Sequence, residues 1–197
     1  YKDARHPDAV TFVQTIEEDL ARRDFTMNAL AYRPDRGVLD PFGGQADMEH
    51  GVIRAVGNPY ARFSEDALRI LRACRFSSEL GFSIEPATYE GMLANKGLLS
   101  HISAERVTHE LERLLMGEHA GDALLGCVDA LAAVLPELVA MKGFEQHTPY
   151  HIYDVLEHTA RVIDGVPRYP LVRWAALFHD MGKPACFFFD ENGTGHF

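Results

Sequence analysis

The spacing of apolar and polar positions divides the chain into two textures. Through residue 57 the pattern is mixed. Val10-Thr11-Phe12-Val13, β-branched and aromatic, predicts a strand. Thr15 followed three residues later by Glu18 is a capping-box signal and predicts a helix running to about Leu30. Ala31-Tyr32 and Val38-Leu39 flank Arg33-Pro34-Asp35-Arg36-Gly37, which reads as the turn of a hairpin. Adjacent Gly43 and Gly44 make Asp40–Gly44 a bend, and Val52–Val56 reads as a last short strand.

After Gly57-Asn58-Pro59 the helical period takes over. Ser64 is the expected N-cap of a helix over Glu65–Leu80, stopped by Gly81. Further helices are predicted over 86–95, 103–116, 119–132, 150–164 and 170–181, with Lys142–Pro149 as a boundary. The expected fold is mainly α with a small α/β portion, divided at 1–57, 58–143 and 144–197.

Composition narrows the classes. With 197 residues, 47% hydrophobic and 24% charged, the chain is neither disordered, collagenous nor a disulfide scaffold. Its three cysteines are far apart and fit a reducing cytoplasm. No apolar run approaches the ~18 residues of a membrane span. The chain opens at Tyr1 rather than methionine and reads as an excised piece of something longer. A net charge of −10 argues against nonspecific nucleic-acid binding over the whole surface. Residues 54–75 differ, with five arginines against two acids. An anionic ligand is therefore expected there or near Arg22-Arg23.

In the helix expected from Glu65, Ala67, Leu68, Ile70, Leu71 and Cys74 fill one broad arc. Asp66, Arg69 and Arg72 fall opposite at i, i+3 and i+6, with Arg75 at the edge. The plain alternative is a solvated face whose Asp–Arg pair stabilises by about 0.2–0.5 kcal/mol. The chemical reading is more specific. Cytosine and adenine each present an amino group beside a ring-nitrogen acceptor, whereas uracil and guanine put a carbonyl where the amino group would be. One carboxylate and one guanidinium complement C and A and reject U and G. The remaining arginines suit phosphate oxygens.

Arg23, Asp24 and Asn28 form a second polar cluster, which is either an ion pair at a helix edge or a grip on phosphate and ribose. A third is histidine-rich: His151, Asp154 and His158 share a stripe of the 150–164 helix, and His179-Asp180 ends the last one. A buried carboxylate needs a partner. A divalent metal held by His158, His179 and Asp180 would supply it, with further ligands from solvent or beyond Phe197. No Asp-x-Asp pair for two-metal nucleotidyl transfer, no glycine-rich phosphate loop and no Gly-x-Ser-x-Gly occur. Glu17-Glu18-Asp19 reads instead as favourable charge at a helix N-terminus.

In this order the segments resemble the class II tRNA nucleotidyltransferase and poly(A) polymerase family, above all CCA-adding enzymes. Arg5–Val10 is similar to the stretch before the family's second motif, and Glu18–Leu30 to that motif, which binds ribose and triphosphate. Asp40-Pro41-Phe42-Gly43-Gly44 resembles the hinge between head and neck, Arg62–Arg72 the base-selecting motif, and Ile102–Arg106 the motif that braces the neck. From His147 the chain resembles the opening of an HD-superfamily domain. The resemblance implies the C-terminal part of a nucleotidyltransferase head, a helical neck and the start of an all-α HD domain. It implies transfer of CMP and AMP from CTP and ATP onto the tRNA 3′ end with Mg²⁺, whose carboxylates would lie upstream of Tyr1. Arg23, Asp24 and Asn28 would hold sugar and phosphates, and Asp66 and Arg69 would choose the base. Arg72 and Arg75 would assist, through phosphate or by fixing Arg69. The stretch alone is expected to bind nucleotide weakly and polymerise nothing. A poly(A) polymerase, enzymes adding only CC or only A, a metal-dependent HD phosphohydrolase and a non-catalytic RNA-binding protein are the competing readings.

Overall fold

Thr15 caps the first helix as its spacing predicts. In the computed structural model, which describes residues 15–145, 152–191 and 195–196, its hydroxyl accepts from Glu18 N while the Glu18 carboxylate accepts from Thr15 N. The strand expected over Val10–Val13 lies outside the described residues. Helix α1 covers only Ile16–Ala21 and does not reach Leu30. Asp24 explains the early stop: its carboxylate accepts the amide of Phe25, a local bond that competes with helix. Phe25 then bridges Ala55, and Thr26–Asn28 make a single 3₁₀ turn.

The hairpin forms as read. Strands β1 (Ala31–Arg33) and β2 (Gly37–Leu39) pair antiparallel with Ala31 opposite Leu39. The expected bend at Asp40–Gly44 leads into a helix the sequence reading omitted, α2 (Gly44–Glu49). Its first amides are satisfied by Asp40, whose carboxylate accepts from Gly44 N at 2.7 Å and Gln45 N at 2.9 Å. Gly44 is required by packing, since a Cβ there would stand 2.2 Å from the carbonyl oxygen of Thr26. Strand β3 (Val52–Ile53) pairs parallel with β4 (Ser83–Ile84).

The helix expected over Glu65–Leu80 is two helices. Asn58 caps α3 (Pro59–Glu65), which runs through Ser64, and α4 (Leu68–Leu80) begins after a break at Asp66. Asp66 is extended (φ −150°, ψ 102°), and its Oδ1 accepts the amide of Leu68 at 3.0 Å. The cap of the long helix is thus Asp66 and not Ser64. Helix α5 (Pro86–Asn95) matches its expected span and continues into a 3₁₀ segment over Lys96–His101. Helix α6 (Ala104–Leu115) follows. The helix expected over 119–132 is interrupted at Cys127, giving α7 (Ala120–Gly126) and α8 (Val128–Leu131). Then come α9 (Glu137–Met141), α10 (Val155–Gly165, capped by Asp154), α11 (Pro170–Phe178) and α12 (Lys183–Cys186). Strands β5 (Phe188–Phe189) and β6 (Gly195–His196) pair antiparallel. The fold is mainly helical with a small α/β portion, as expected, and among the described residues no helix is long and apolar enough to cross a membrane.

Two compact units result. The first comprises the residues up to Ala73 together with Phe82–Val107; the second comprises Cys74–Gly81 and the residues from Thr108 onward. In the first, Leu20, Ala29 and Val56 are buried with Ala31, Leu39 and Phe42 packed around them, and α3 packs on α5. In the second, α10 packs on α7 and α11, burying Leu124, Leu156, Ile163 and Leu177. Gly121 permits the α7–α10 contact: a Cβ there would meet Asp164 Oδ2 at 2.3 Å.

Candidate nucleotide site and histidine cluster

The first unit brings the Arg22–Asn28 segment against the start of α4. Two backbone hydrogen bonds on either side of the Phe25–Ala55 bridge set that segment down: Thr26 N donates to Arg54 C=O at 2.9 Å and Val56 N to Asp24 C=O at 3.0 Å. Beneath it the Thr26 hydroxyl donates to Asp47 at 2.7 Å, and Asp47 also receives Arg54, which reaches Glu85 at 3.3 Å. This polar chain fixes the 3₁₀ turn that carries Asn28.

Asp24 is buried, and its carboxylate collects four donors. Oδ1 accepts from Phe25 N at 2.9 Å and Asn28 Nδ2 at 3.0 Å, while Oδ2 accepts from Arg72 Nε at 2.7 Å and Nη2 at 2.6 Å. Arg69 reaches the same segment, donating Nη2 to Arg22 C=O at 3.1 Å. Its Nη1 donates to Arg62 C=O and to Glu65 Oε2, each at 2.9 Å. Arg23 is half-exposed and donates to Asp19, as does Arg22. Those two guanidiniums hold the Asp19 carboxyl below its ordinary range. Asp66 caps α4 with Oδ1 and leaves Oδ2 3.7 Å from Arg106 Nη2. Among the described residues Asp66 and Arg69 share no side-chain hydrogen bond, although both stand at the first turn of α4.

Arg23, Asp24, Asn28, Asp66, Arg69 and Arg72 therefore belong to one neighbourhood of the first unit. Arg75 does not join them. It lies in the second unit, 2% exposed, with Nη1 3.0 Å from Glu110 Oε2 and its guanidinium 4.3 Å above the Phe76 ring. A buried guanidinium paired with a buried carboxylate is a packing element closed to phosphate. Arg62, Glu65 and Arg106 lie within segments the sequence singles out, but their type and position alone give them no individual role at the site. The spacing of Arg62, Glu65 and Arg69 at i, i+3 and i+7 was the available signal, because such residues are neighbours on a helical surface.

In the second unit His158, His179 and Asp180 converge, with one donor atom from each within 4.8 Å of the others. His179 Nε2 is 3.3 Å from His158 Nε2 and 3.3 Å from Asp180 Oδ2, and His158 Nε2 is 3.5 Å from the same oxygen. His179 Nδ1 stands 2.7 Å from Ala176 C=O, a bond that directs the Nε2 lone pair inward, the usual orientation of a metal-bound imidazole. Lys183 Nζ lies 2.8 Å from Asp180 Oδ2. Asp154 is instead the cap of α10, accepting Glu157 N and Gly143 N, and His151 lies outside the described residues.

Residues 1–54 match the model for the poly A polymerase head domain, and residues 81–141 match the one described as the probable RNA and SrmB- binding site of polymerase A. The CCA-adding enzyme of Geobacillus thermodenitrificans is 53% identical over 144 residues, covering 73% of this chain and 35% of the relative. That of Bacillus velezensis is 40% identical over 188 residues, 92% of this chain and 43% of the relative. The chain belongs to the tRNA nucleotidyltransferase and poly(A) polymerase family. Among solved structures, the Bacillus stearothermophilus CCA-adding enzyme in complex with CTP superposes with a TM-score of 0.64 at 41% identity, over 88% of this chain and 42% of that one. The chain spans about a third of the length of the curated relative from Geobacillus thermodenitrificans. Within the family frame, Arg23, Asp24 and Asn28 fall in the head-domain match, and Asp66, Arg69 and Arg72 fall between the two matched stretches. The histidine cluster lies outside both.

Proposed function

We propose that the intact protein adds CMP and AMP, from CTP and ATP, to the 3′ end of tRNA in a reducing cytoplasm, and that the first unit of this chain holds and selects the incoming nucleotide. One observation carries the reading. Arg69 and Arg72 at the start of α4 are hydrogen-bonded to the Arg22–Asn28 segment 47 and 48 residues away, so base-selecting and sugar-phosphate residues share one edge. That these relatives are CCA-adding enzymes, and that the solved neighbour holds CTP, supports the substrate class.

Mechanistically, Asp66 Oδ2 is the acceptor for the exocyclic amino group of cytosine or adenine, and Arg69 donates to the adjacent ring nitrogen. A carbonyl in place of the amino group would face a carboxylate, which offers no proton, so uracil and guanine are refused. Arg23 and Arg72 supply cations for the triphosphate and Asn28 faces the sugar, while the buried Asp24 carboxylate, filled by its own donors, holds Asn28 and Arg72 in place. The convergent donor set among the described residues, two imidazoles and one carboxylate, does not fit the hard oxygen shell Mg²⁺ takes. The metal carboxylates of the transfer are therefore assigned to none of the described residues.

The test is single-nucleotide addition by the full-length protein to tRNA lacking its terminal CCA. CTP alone should give two additions, ATP alone none until CC is present, and UTP and GTP none. Long A-tails would mark a poly(A) polymerase instead, and no labelled addition would refute the reading. The histidine cluster favours one further activity, a divalent-metal phosphohydrolase held by His158, His179 and Asp180.

A further inference from the structure

Arg69 is 18% exposed on its side chain, and its three hydrogen bonds end on groups that are themselves held. The holder is Arg62. Its side chain is 12% exposed and spans three segments: Nε donates to Val56 C=O at 3.1 Å, Nη2 to Ala21 C=O at 2.7 Å, and Nη1 to Glu65 Oε2 at 2.9 Å. Two backbone carbonyls, 35 residues apart in sequence, thus fix the plane of this guanidinium. The third donor pins Glu65, and the same Oε2 receives Arg69 Nη1 at 2.9 Å. The main-chain carbonyl of Arg62 receives that same Nη1 as well. The order of dependence runs from the backbone of α1 and the Val56 loop, through Arg62 and Glu65, to Arg69.

We propose that Arg62 is a positioning residue for base selection, setting the guanidinium of Arg69 through Glu65 without touching the nucleotide. This rests on the reading of Arg69 as the donor to the base. A lysine cannot replace it, because one ammonium nitrogen cannot meet three acceptors spread along a planar fork. Without the fork, Glu65 is free to follow solvent, since its own side chain is 52% exposed. Arg69 then loses its lateral restraint while keeping its charge and its phosphate-side neighbours. Selectivity should suffer more than binding. Misplacing a reading group by ~1 Å is enough to cost up to about a hundredfold.

The experiment measures kcat/KM for CTP and for UTP with the full-length protein on tRNA lacking CCA, for Arg62→Lys, Glu65→Ala, their double variant and Arg69→Ala. Arg62→Lys and Glu65→Ala are each expected to lower the CTP/UTP ratio by about tenfold or more. The double variant should fall no further than the worse single, as expected for two links of one relay. Equal losses for both nucleotides, with the ratio intact, would mean that Arg62 only stabilises the fold, and the inference is overturned. Should Arg62→Lys not fold, Glu65→Ala decides alone, since it removes the exposed carboxylate oxygen that both arginines meet. If Arg69→Ala leaves the ratio unchanged, the base-reading role of Arg69 fails and the relay falls with it. If Arg69→Ala abolishes the ratio and Glu65→Ala does not move it, the relay alone is wrong.

Discussion

Asp66 performs two separable tasks in this account, and substitution can pull them apart. Its Oδ1 caps α4 through the amide of Leu68, and its Oδ2 is assigned to the amino group of the base. Asp66→Ala removes both. Losing an N-cap costs about 1 kcal/mol, which for a unit of this size lowers the melting temperature by about 4–8 °C. Asp66→Ser keeps a capping oxygen but lacks a second acceptor, so its melting temperature should stay near that of the parent. Losing one paired contact to a base edge costs about 1–3 kcal/mol of discrimination, or about 5–150-fold in the CTP/UTP ratio. Both variants should show that loss, although only alanine melts early. Asp66→Asn also caps, and its amide can present a donor where the carboxylate presented an acceptor. It should shift preference toward uracil more than serine does. The assay pairs thermal melting by circular dichroism with single-nucleotide addition kinetics. If the serine variant melts normally and still prefers CTP as the parent does, Asp66 is a helix cap and reads no base.

Three further outcomes are expected. Zn²⁺ or Mn²⁺ at ~100 times its Kd should stabilise the chain by about 2.7 kcal/mol, and His179→Ala should abolish the gain; an equal gain in that variant would remove the histidine cluster as the site. Cys74 and Cys127 are buried and Cys186 is exposed, so a thiol reagent should titrate one group in the native chain and three in denaturant. The Cys127 thiol and burial push the Cys74 thiol well above its ordinary range, so raising the pH to 9 should not add a second reactive group, and a second native equivalent would contradict the packing. Burial raises the Glu85 carboxyl, but the Thr88 hydroxyl and amide and the Arg54 guanidinium outweigh it and hold the pKa below its ordinary value. Its stabilisation is therefore complete above about pH 4.5 and lost as the pH falls through the folded value; Glu85→Gln should flatten that part of the stability profile, and an unchanged acid slope would refute the assignment.

The elements that were legible in the sequence are those fixed by neighbours a few residues apart. The Thr15–Glu18 box, the Arg33–Gly37 turn and the span of α5 all depend on local chemistry. Elements ruled by distant partners were not legible. Helix α1 stops early because the local Asp24–Phe25 bond is reinforced by bonds from the Asp24–Thr26 stretch to Arg54 and Val56, and those distant partners leave no local pattern. The break at Asp66 was hidden because Ser64 and Asp66 are both good caps, and the apolar arc of residues 67–74 is continuous with either. At the candidate site the residues of interest were visible by type and spacing, but their partners were not. Helical geometry placed Arg75 at the edge of a polar face, whereas Glu110, 35 residues on, draws it into the interior of the second unit.

The five arginines between residues 54 and 75 make the same point about charge. Counted within their window they predict a cationic patch. In the structure their partners come from outside it as well: Asp47 and Glu85 take Arg54, backbone carbonyls take Arg62 and Arg69, Asp24 takes Arg72 and Glu110 takes Arg75. Such an arrangement attracts a triphosphate less than bare arginines would, yet attraction cannot tell one nucleotide from another, because CTP, UTP, ATP and GTP carry the same phosphates. Discrimination requires that donor and acceptor be held where the wrong base edge cannot adapt to them. In a chain of net charge −10, arginines whose forks are already fixed by carbonyls and carboxylates serve that requirement, with geometry in place of field.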